Sequence, residues 1–338
     1  MIEIRHNVFR SFVFGQAGVQ GFFGETSEHP HHLLYRMIPG FSFENMVFVS
    51  KTITANPRIY PESSNTELKG YKLKKFFPKS IWVSPTSFIK GYMLNAVGLA
   101  NLGASKMFSY EKWQERRESF LISFMPVGRT LTEKLTEVDN FCEVIKENYP
   151  EAKFFKFGLQ VNFSCPNTGH QEKQDVSDIA LVLSRIRKRL PSIMLMPKFN
   201  FMIKPEALVT LKNYCDAFCI SNTLGFGELK SKEWWEELFP EGKSPLTNHF
   251  GGKFSGGLSG KPLFPILLNW LDKMEKYDDS VIIIAGGGIM GKRDIEKLSH
   301  YKIVRGIALG SVATLRPWRL QSLIDYGNDV FEKRYYLE

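Results

Sequence analysis

Cys165 stands in the heptapeptide NFSCPNT, between amide side chains and just beyond an apolar run, where Pro166 and Asn167 keep it in a loop and a thiol is reachable. A lone cysteine is commonly a small buried hydrophobe. A free thiol nonetheless ionises near about pH 8.5, so at mildly alkaline pH this one can serve as a proton acceptor or as a nucleophile. A hydrolytic Cys–His pair needs a histidine beside it. His6, His29, His31, His32, His249 and His300 are expected elsewhere, and His170 lies further along the same loop, which weakens a hydrolase reading.

Other polar residues recur where apolar runs end: Lys51 and Thr52, Asn95, Asn162 to Asn167, Lys198, and Ser221 to Thr223. One such Asn is ordinarily a turn former. Their joint placement at successive run ends points to a shared site, and two lysines facing one cavity suit an anionic ligand. The glycine-rich turn AGGGIMGKRD (285–294) follows an apolar run and opens a helical pattern, and LGS (309–311) supplies a second turn. Such turns present backbone N–H groups to a phosphate. Gly286, Gly291 and Lys292 also mimic a P-loop, but Arg293 stands where the magnesium-binding Ser or Thr belongs. A nucleotide hydrolase therefore lacks its metal ligand, and no metal site is expected.

The elements that must position these residues are short β-branched and aromatic runs separated by helical patterns, the mark of βα units on a parallel sheet. Eight runs qualify as strands: 46–51, 92–97, 120–125, 158–164, 193–199, 217–221, 281–286 and 306–311. Helices are predicted at 107–118, 130–149, 175–190, 204–214, 262–276, 291–299 and 317–335. The expected fold is an α/β, (β/α)8 TIM barrel over residues 1–338 as one domain. Its C-terminal strand ends converge on one mouth, with phosphate turns after the last two strands. The first 45 residues are expected to form a hairpin or plug over the barrel bottom. Residues 56–91 and 227–255 do not fit a minimal barrel and are expected as insertions, candidate lids, at the mouth.

Composition agrees with a globular protein: 43% hydrophobic and 23% charged residues suffice for a large core and argue against disorder. The net charge of +9 is scattered apart from Lys69–Lys79, which reads as a solvated loop, so no nucleic-acid partner is expected. Four cysteines without a CxxC pair suggest neither disulfides nor zinc and fit a reducing cytoplasm. The opening residues lack a signal-peptide pattern and no apolar run reaches membrane-spanning length, so no membrane partner is expected.

Taken in order, SKTITANPR, MLNAVGLANLG, NFSCPNT, PKF, ISNT, GGLSGKPL, AGGGI and ALGS resemble the dihydroorotate dehydrogenases, and among them the soluble class 1 enzymes, from about residue 12 to 320. NFSCPNT and MLNAVGL are the most specific pieces. The resemblance implies FMN lying across the mouth with its phosphate at Gly287, Gly288, Gly310 and Ser311. It also implies further cofactor contacts from Ala17, Gly18, Lys51, Thr52, Asn162, Lys198, Ser221, Gly256 and Gly257. Asn95, Asn162, Asn167 and Asn222, with Lys51 and Thr223, would hold dihydroorotate or orotate, since amides donate and accept. In the family's reaction a base takes a proton from C5 of dihydroorotate while a hydride leaves C6 for flavin N5. Cys165 matches the class 1 base, whereas class 2 carries serine there.

Two other readings remain. A related dihydropyrimidine (uracil-type) dehydrogenase resembles the same motifs and also uses cysteine, but typically has His where this chain has Asn167, and the fourth amide favours orotate. A catalytically silent flavin-binding barrel is the reading from another class, because fold alone never establishes function. Fumarate-using class 1 enzymes are homodimers, and NAD-linked ones work with an electron-transfer subunit. MLNAVGL and GGLSGKPL look slightly more like the NAD-linked type.

Overall fold

The computed structural model describes residues 1–58, 68–76, 78–149, 156–163, 175–220, 222–247 and 254–336. At its centre is a parallel seven-stranded sheet. Its order is Val13–Gly15, Val304–Leu309, Ile283–Gly286, Phe218–Ile220, Met194–Phe199, Phe157–Asn162 and Phe120–Phe124. Segment 47–53 joins the two edges through parallel bridges Phe14 to Val47, Val49 to Leu121 and Ile53 to Phe124. The Val47 amide donates to the Val13 carbonyl (2.8 Å) and the Ser50 amide to that of Leu121 (2.9 Å), so the sheet closes on itself. Eight staves with helices outside them make the (β/α)8 barrel.

The barrel strands are apolar on both faces because side chains fill the interior while helices cover the exterior. Phe120–Phe124, Phe157–Asn162 and Met194–Phe199 are buried at every position. Helix Leu131–Asn148 starts at a Thr130/Glu133 capping box and buries Val138, Phe141, Cys142 and Ile145. Phe141 stacks on Phe124 of the strand beneath it, centroids 3.8 Å apart. Helix Val176–Arg189 repeats the pattern with Ile179, Val182, Leu183 and Ile186 under an Asp175 cap.

One stave is not the one the sequence suggests. The run at 92–97 forms a strand, Tyr92–Asn95, but it belongs to a small antiparallel sheet over the mouth, ordered Leu224–Gly225, Gly257–Gly260, Tyr92–Asn95 and Ile81–Trp82. Its apolar residues are buried by that sheet and by Phe239, whose ring lies 5.7 Å from Tyr92 and 5.5 Å from Trp82. The eighth stave is instead the three-residue strand Val13–Gly15, within the region expected to be a plug. The expected hairpin exists as Ile2–Ile4 paired with Asn7–Phe9. It sits at the bottom, where Arg5 donates to the Pro191 carbonyl (2.5 Å) and pairs with Asp216 (3.0 Å). From there the chain passes up the wall and emerges at the mouth.

Both insertions lie at the mouth, with different jobs. From the first, the hairpin Leu68–Lys69/Lys72–Leu73 turns Leu68, Tyr71 and Leu73 toward the cavity and leaves Lys69, Lys74, Lys75 and Lys79 exposed. Tyr71 is clasped there, donating to Glu25 Oε2 (3.1 Å) and accepting from Lys112 Nζ (2.8 Å), while Lys112 pairs with Glu25. From the second, helix Lys232–Leu238 braces the mouth sheet: Tyr92 donates its hydroxyl hydrogen to the Leu238 carbonyl (2.7 Å).

Candidate active site

A cavity of about 260 Å³ opens at the C-terminal ends of the staves, and every stave but Phe120–Phe124 contributes to its rim. Gln16, Ala17, Gly18 and Val19 follow Val13–Gly15, and Lys51 and Thr52 lie at the end of segment 47–53. Asn162 closes its strand, Lys198 lies on the next, and Asn222 and Thr223 follow Phe218–Ile220. Gly287, Gly288, Gly310 and Ser311 follow the last two strands, and the mouth sheet adds Asn95 and Ser259.

Strand register explains the convergence. Asn162 pairs with Lys198, and Lys198 with Cys219, so the polar residues form a level across neighbouring strands. The Asn222 side chain donates through Nδ2 to Asn162 Oδ1 (3.1 Å), and the Thr223 backbone amide donates to Asn222 Oδ1 (2.9 Å). Thr52 shares a hydroxyl bond with Ser123 (2.8 Å), and Asn162 reaches Thr52 Oγ1 more loosely at 3.4 Å. Asn95 donates to Ser259 Oγ at 3.4 Å, and Lys51 Nζ to the Gly98 carbonyl at 3.0 Å. Lys198 is only 3% exposed, so its charge is held at the cavity floor where the local dielectric magnifies it.

The glycine turns require glycine. Gly287 and Gly288 have φ of +115° and +83°, and a Cβ on Gly288 would meet the Gly260 carbonyl and the Phe264 amide at 2.7 Å. Only a residue without a side chain lets this turn pack so closely on the main chain of Gly260 and Phe264. At the following helix, Lys292–Ser299, Asp294 already accepts from the amides of Met290 (2.8 Å) and Gly291 (3.0 Å). An anion in this turn would therefore meet the earlier residues, Gly287 to Ile289, which are the ones lining the cavity.

Cys165, Asn167 and Ser221 lie outside the described residues. Gly256 and Gly257 do not line the cavity; Gly257 is the register partner of Asn95 and stands behind it in the mouth sheet. The remaining cysteines are poor bases. Burial pushes the Cys142 thiol up to about 12, helped by Asp139, and that of Cys219 up to about 11, and it raises Cys215 further.

Sequence reasoning missed one wall. His29, His31 and His32, placed away from the mouth in the layout above, line the cavity from the 3₁₀ turn Thr26–Glu28 and helix Pro30–Tyr35. Their rings pack 4.6 to 5.4 Å apart, among Tyr35, Phe41 and Phe43. The tripled histidine in EHPHHL was the available signal, but nothing local says that the segment leaves a barrel stave. Burial keeps all three neutral. It pushes His29 down to about 3, reinforced by His31 and Lys51, His31 to about 4, and His32 to about 2 with help from its neighbours. Neither ring nitrogen of His29 makes a hydrogen bond of normal geometry among the described residues.

These shifts carry a stability consequence. The folded pKa values lie below the ordinary 6.5, so the contribution is fully present above about pH 6.5 and is lost as pH falls toward 4, where the unfolded chain takes up protons that the folded one refuses. Thermal melts should therefore show a lower Tm at about pH 5 than at about pH 7.5, and His32→Phe should flatten that difference. Equal wild-type Tm values at both pH values would contradict the buried neutral cluster.

Among the described residues no group of three or more His, Cys, Asp or Glu is placed to hold a metal ion, and no helix is long and apolar enough to cross a membrane. Fold and site together define an α/β-barrel protein with amides, lysines and glycine turns gathered at one mouth. A sequence profile of the dihydroorotate dehydrogenase family matches residues 84–300, well over half the chain. This protein belongs to the dihydroorotate dehydrogenase family.

Its curated relatives are distant. A dihydroorotate dehydrogenase (quinone) from Coxiella burnetii is 24% identical over 217 residues, 61% of this chain, and the chain spans only 57% of that relative's length. A putative dihydroorotate dehydrogenase A (fumarate) from Pediococcus pentosaceus is 26% identical over 62% of this chain and 65% of its own. The catalytic subunit of dihydroorotate dehydrogenase B (NAD(+)) from Geobacillus kaustophilus is 25% identical over 85% of this chain and 87% of its own.

Proposed function

We propose that residues 1–338 form one FMN-binding barrel domain that oxidises dihydroorotate to orotate in cytoplasmic pyrimidine biosynthesis. The observation that most supports this reading is the meeting of Asn95, Asn162, Asn222, Lys51 and Lys198 around one cavity between two glycine turns. The relatives' names share the dehydrogenase and differ in the acceptor, so the shared half-reaction is what carries over.

The residues present fit FMN. Gly287 and Gly288 form a positive-φ turn at the cavity, packed too close to Gly260 and Phe264 for a side chain, the Gly310–Ser311 turn lies on the adjoining stave, and Met93, Val97 and Leu99 add an apolar wall for a ring system. When bound, FMN supplies the two-electron acceptor. The amides orient the substrate ring by donating and accepting hydrogen bonds, and the two lysines offset negative charge on substrate and cofactor. Cys165 takes the proton at C5 in this reading. The hairpin 68–73 limits water at the cavity side.

The test is anaerobic mixing of the purified yellow protein with dihydroorotate, and separately with dihydrouracil, while following flavin absorbance. Bleaching by dihydroorotate alone is expected. Bleaching by dihydrouracil alone would transfer the site to a uracil-type substrate, and bleaching by neither would leave a silent flavin barrel.

A further inference from the structure

The Lys51 ammonium, which donates to the Gly98 carbonyl (3.0 Å), also lies over an aromatic ring. Its ammonium lies 5.3 Å from the centroid of Phe22, a cavity-lining residue that is 1% exposed. The Lys51 backbone amide donates to the carbonyl of the adjacent Gly21 (2.7 Å), so head group and main chain are both tied to the Gly21–Phe22 turn.

That turn is itself clamped. The carboxylate of Glu28, 1% exposed, accepts from the amides of Phe22 (2.5 Å), Phe23 (2.8 Å) and Glu25 (3.0 Å). The Phe22 carbonyl accepts from Trp113 Nε1 (2.8 Å). Gly21 is at φ +77°, and a Cβ there would strike the Glu28 carboxylate at 2.5 Å, so the turn and the clamp are built for each other.

A ring face attracts an ammonium through its quadrupole without taking up its charge. The Phe22 ring and the Gly98 carbonyl together fix where the Lys51 ammonium stands at the cavity. We infer that Phe22 is a positioning residue for Lys51, held in register by Glu28, and that through Lys51 it sets recognition of the substrate's carboxylate. The carboxylate half of this inference rests on the proposed function; the Phe22–Lys51 coupling does not.

The test has two arms on the purified full-length protein. In the first, trace acetylation with acetic anhydride, read by mass spectrometry of the Lys51 peptide, measures how firmly the ammonium is held. Phe22→Leu should speed Lys51 acetylation by about two- to thirtyfold, the range a cation–π contact is worth, while Phe22→Tyr, which keeps the ring, should not. Glu28→Gln should move the rate in the same direction by a smaller factor and stands in if the leucine variant misfolds. Unchanged acetylation in the folded variants overturns the inference.

The second arm titrates the flavin absorbance with orotate and with uracil, which lacks the carboxylate. Phe22→Leu should weaken orotate by a similar factor, leave uracil unchanged, and add nothing in a Lys51→Met background. Equal weakening of both ligands, or additivity with Lys51→Met, would reduce Phe22 to a structural role and overturn the inference. If wild-type protein gives no orotate response, the proposed substrate falls, and the acetylation arm alone decides the coupling.

Discussion

Cys165→Ala should leave the protein yellow and able to bind orotate while slowing flavin reduction by dihydroorotate about 10²- to 10⁴-fold, the usual cost of removing a general base. Chemistry argues for this residue among the four cysteines: Cys142 and Cys219 are buried with thiols pushed up to about 12 and about 11, and Cys215 is raised further. None of these three ionises near neutrality. Stopped-flow mixing without oxygen reads the rate of the half-reaction directly, separate from any acceptor. Reduction of the alanine variant at the wild-type rate would remove Cys165 from the mechanism, and loss of orotate binding would recast it as a packing residue.

Gly288→Val should yield a folded protein that loses its flavin on purification. The backbone at Gly288 has φ +83°, and a side chain there would collide with main-chain atoms of Gly260 and Phe264 at 2.7 Å, neither of which can swing aside. Strain of about 1 to 3 kcal/mol concentrated in the cradle corresponds to roughly five- to 150-fold weaker binding of added FMN. Gly70→Ala is the control. Gly70 also has positive φ, +63°, but nothing lies within 4 Å of its would-be Cβ, in the exposed turn of the hairpin. That variant should stay yellow, with a modest loss of stability. A yellow Gly288→Val protein of wild-type affinity would show that the phosphate turn lies elsewhere.

Seven of the eight staves were legible because each is a buried run punctuated by turn residues and followed by a helix or turn. That Lys51, Asn162, Lys198 and Asn222 line one cavity was legible for a related reason: a parallel barrel brings every strand's C-terminal end to one face, so they needed only to be placed at run ends. Val13–Gly15 was not legible, since an apolar run as short as Phe12–Phe14, between Ser11 and Gly15, carries no period. Tyr92–Asn95 misled because a strand buried by an antiparallel cover looks, in one dimension, like a strand buried inside a barrel. Gln16, Phe22 and the histidines at 29, 31 and 32 were hidden because the strand that leads into them carries no period of its own, and Ala17 and Gly18 of the same region were reached only through the family resemblance.

The position of Val13–Gly15 also fixes when the site comes into being. This strand is flanked by segment 47–53 on one side and by Val304–Leu309 on the other. The seam is sealed by helix Leu320–Tyr335, whose Asn328 accepts from the Phe12 amide (2.8 Å) and whose Gly327 packs against Val13. Residues 15 and 304 are 304 − 15 = 289 positions apart. At about 5 to 20 residues per second of synthesis, one edge of Val13–Gly15 waits roughly 15 to 60 s for its neighbour. Ring closure of this span is a high-contact-order event, and the apolar edges on both sides stay exposed until it occurs. The cavity is accordingly completed late: the Gly287–Gly288 and Gly310–Ser311 turns and the Gln16–Val19 rim come together only at that closing step.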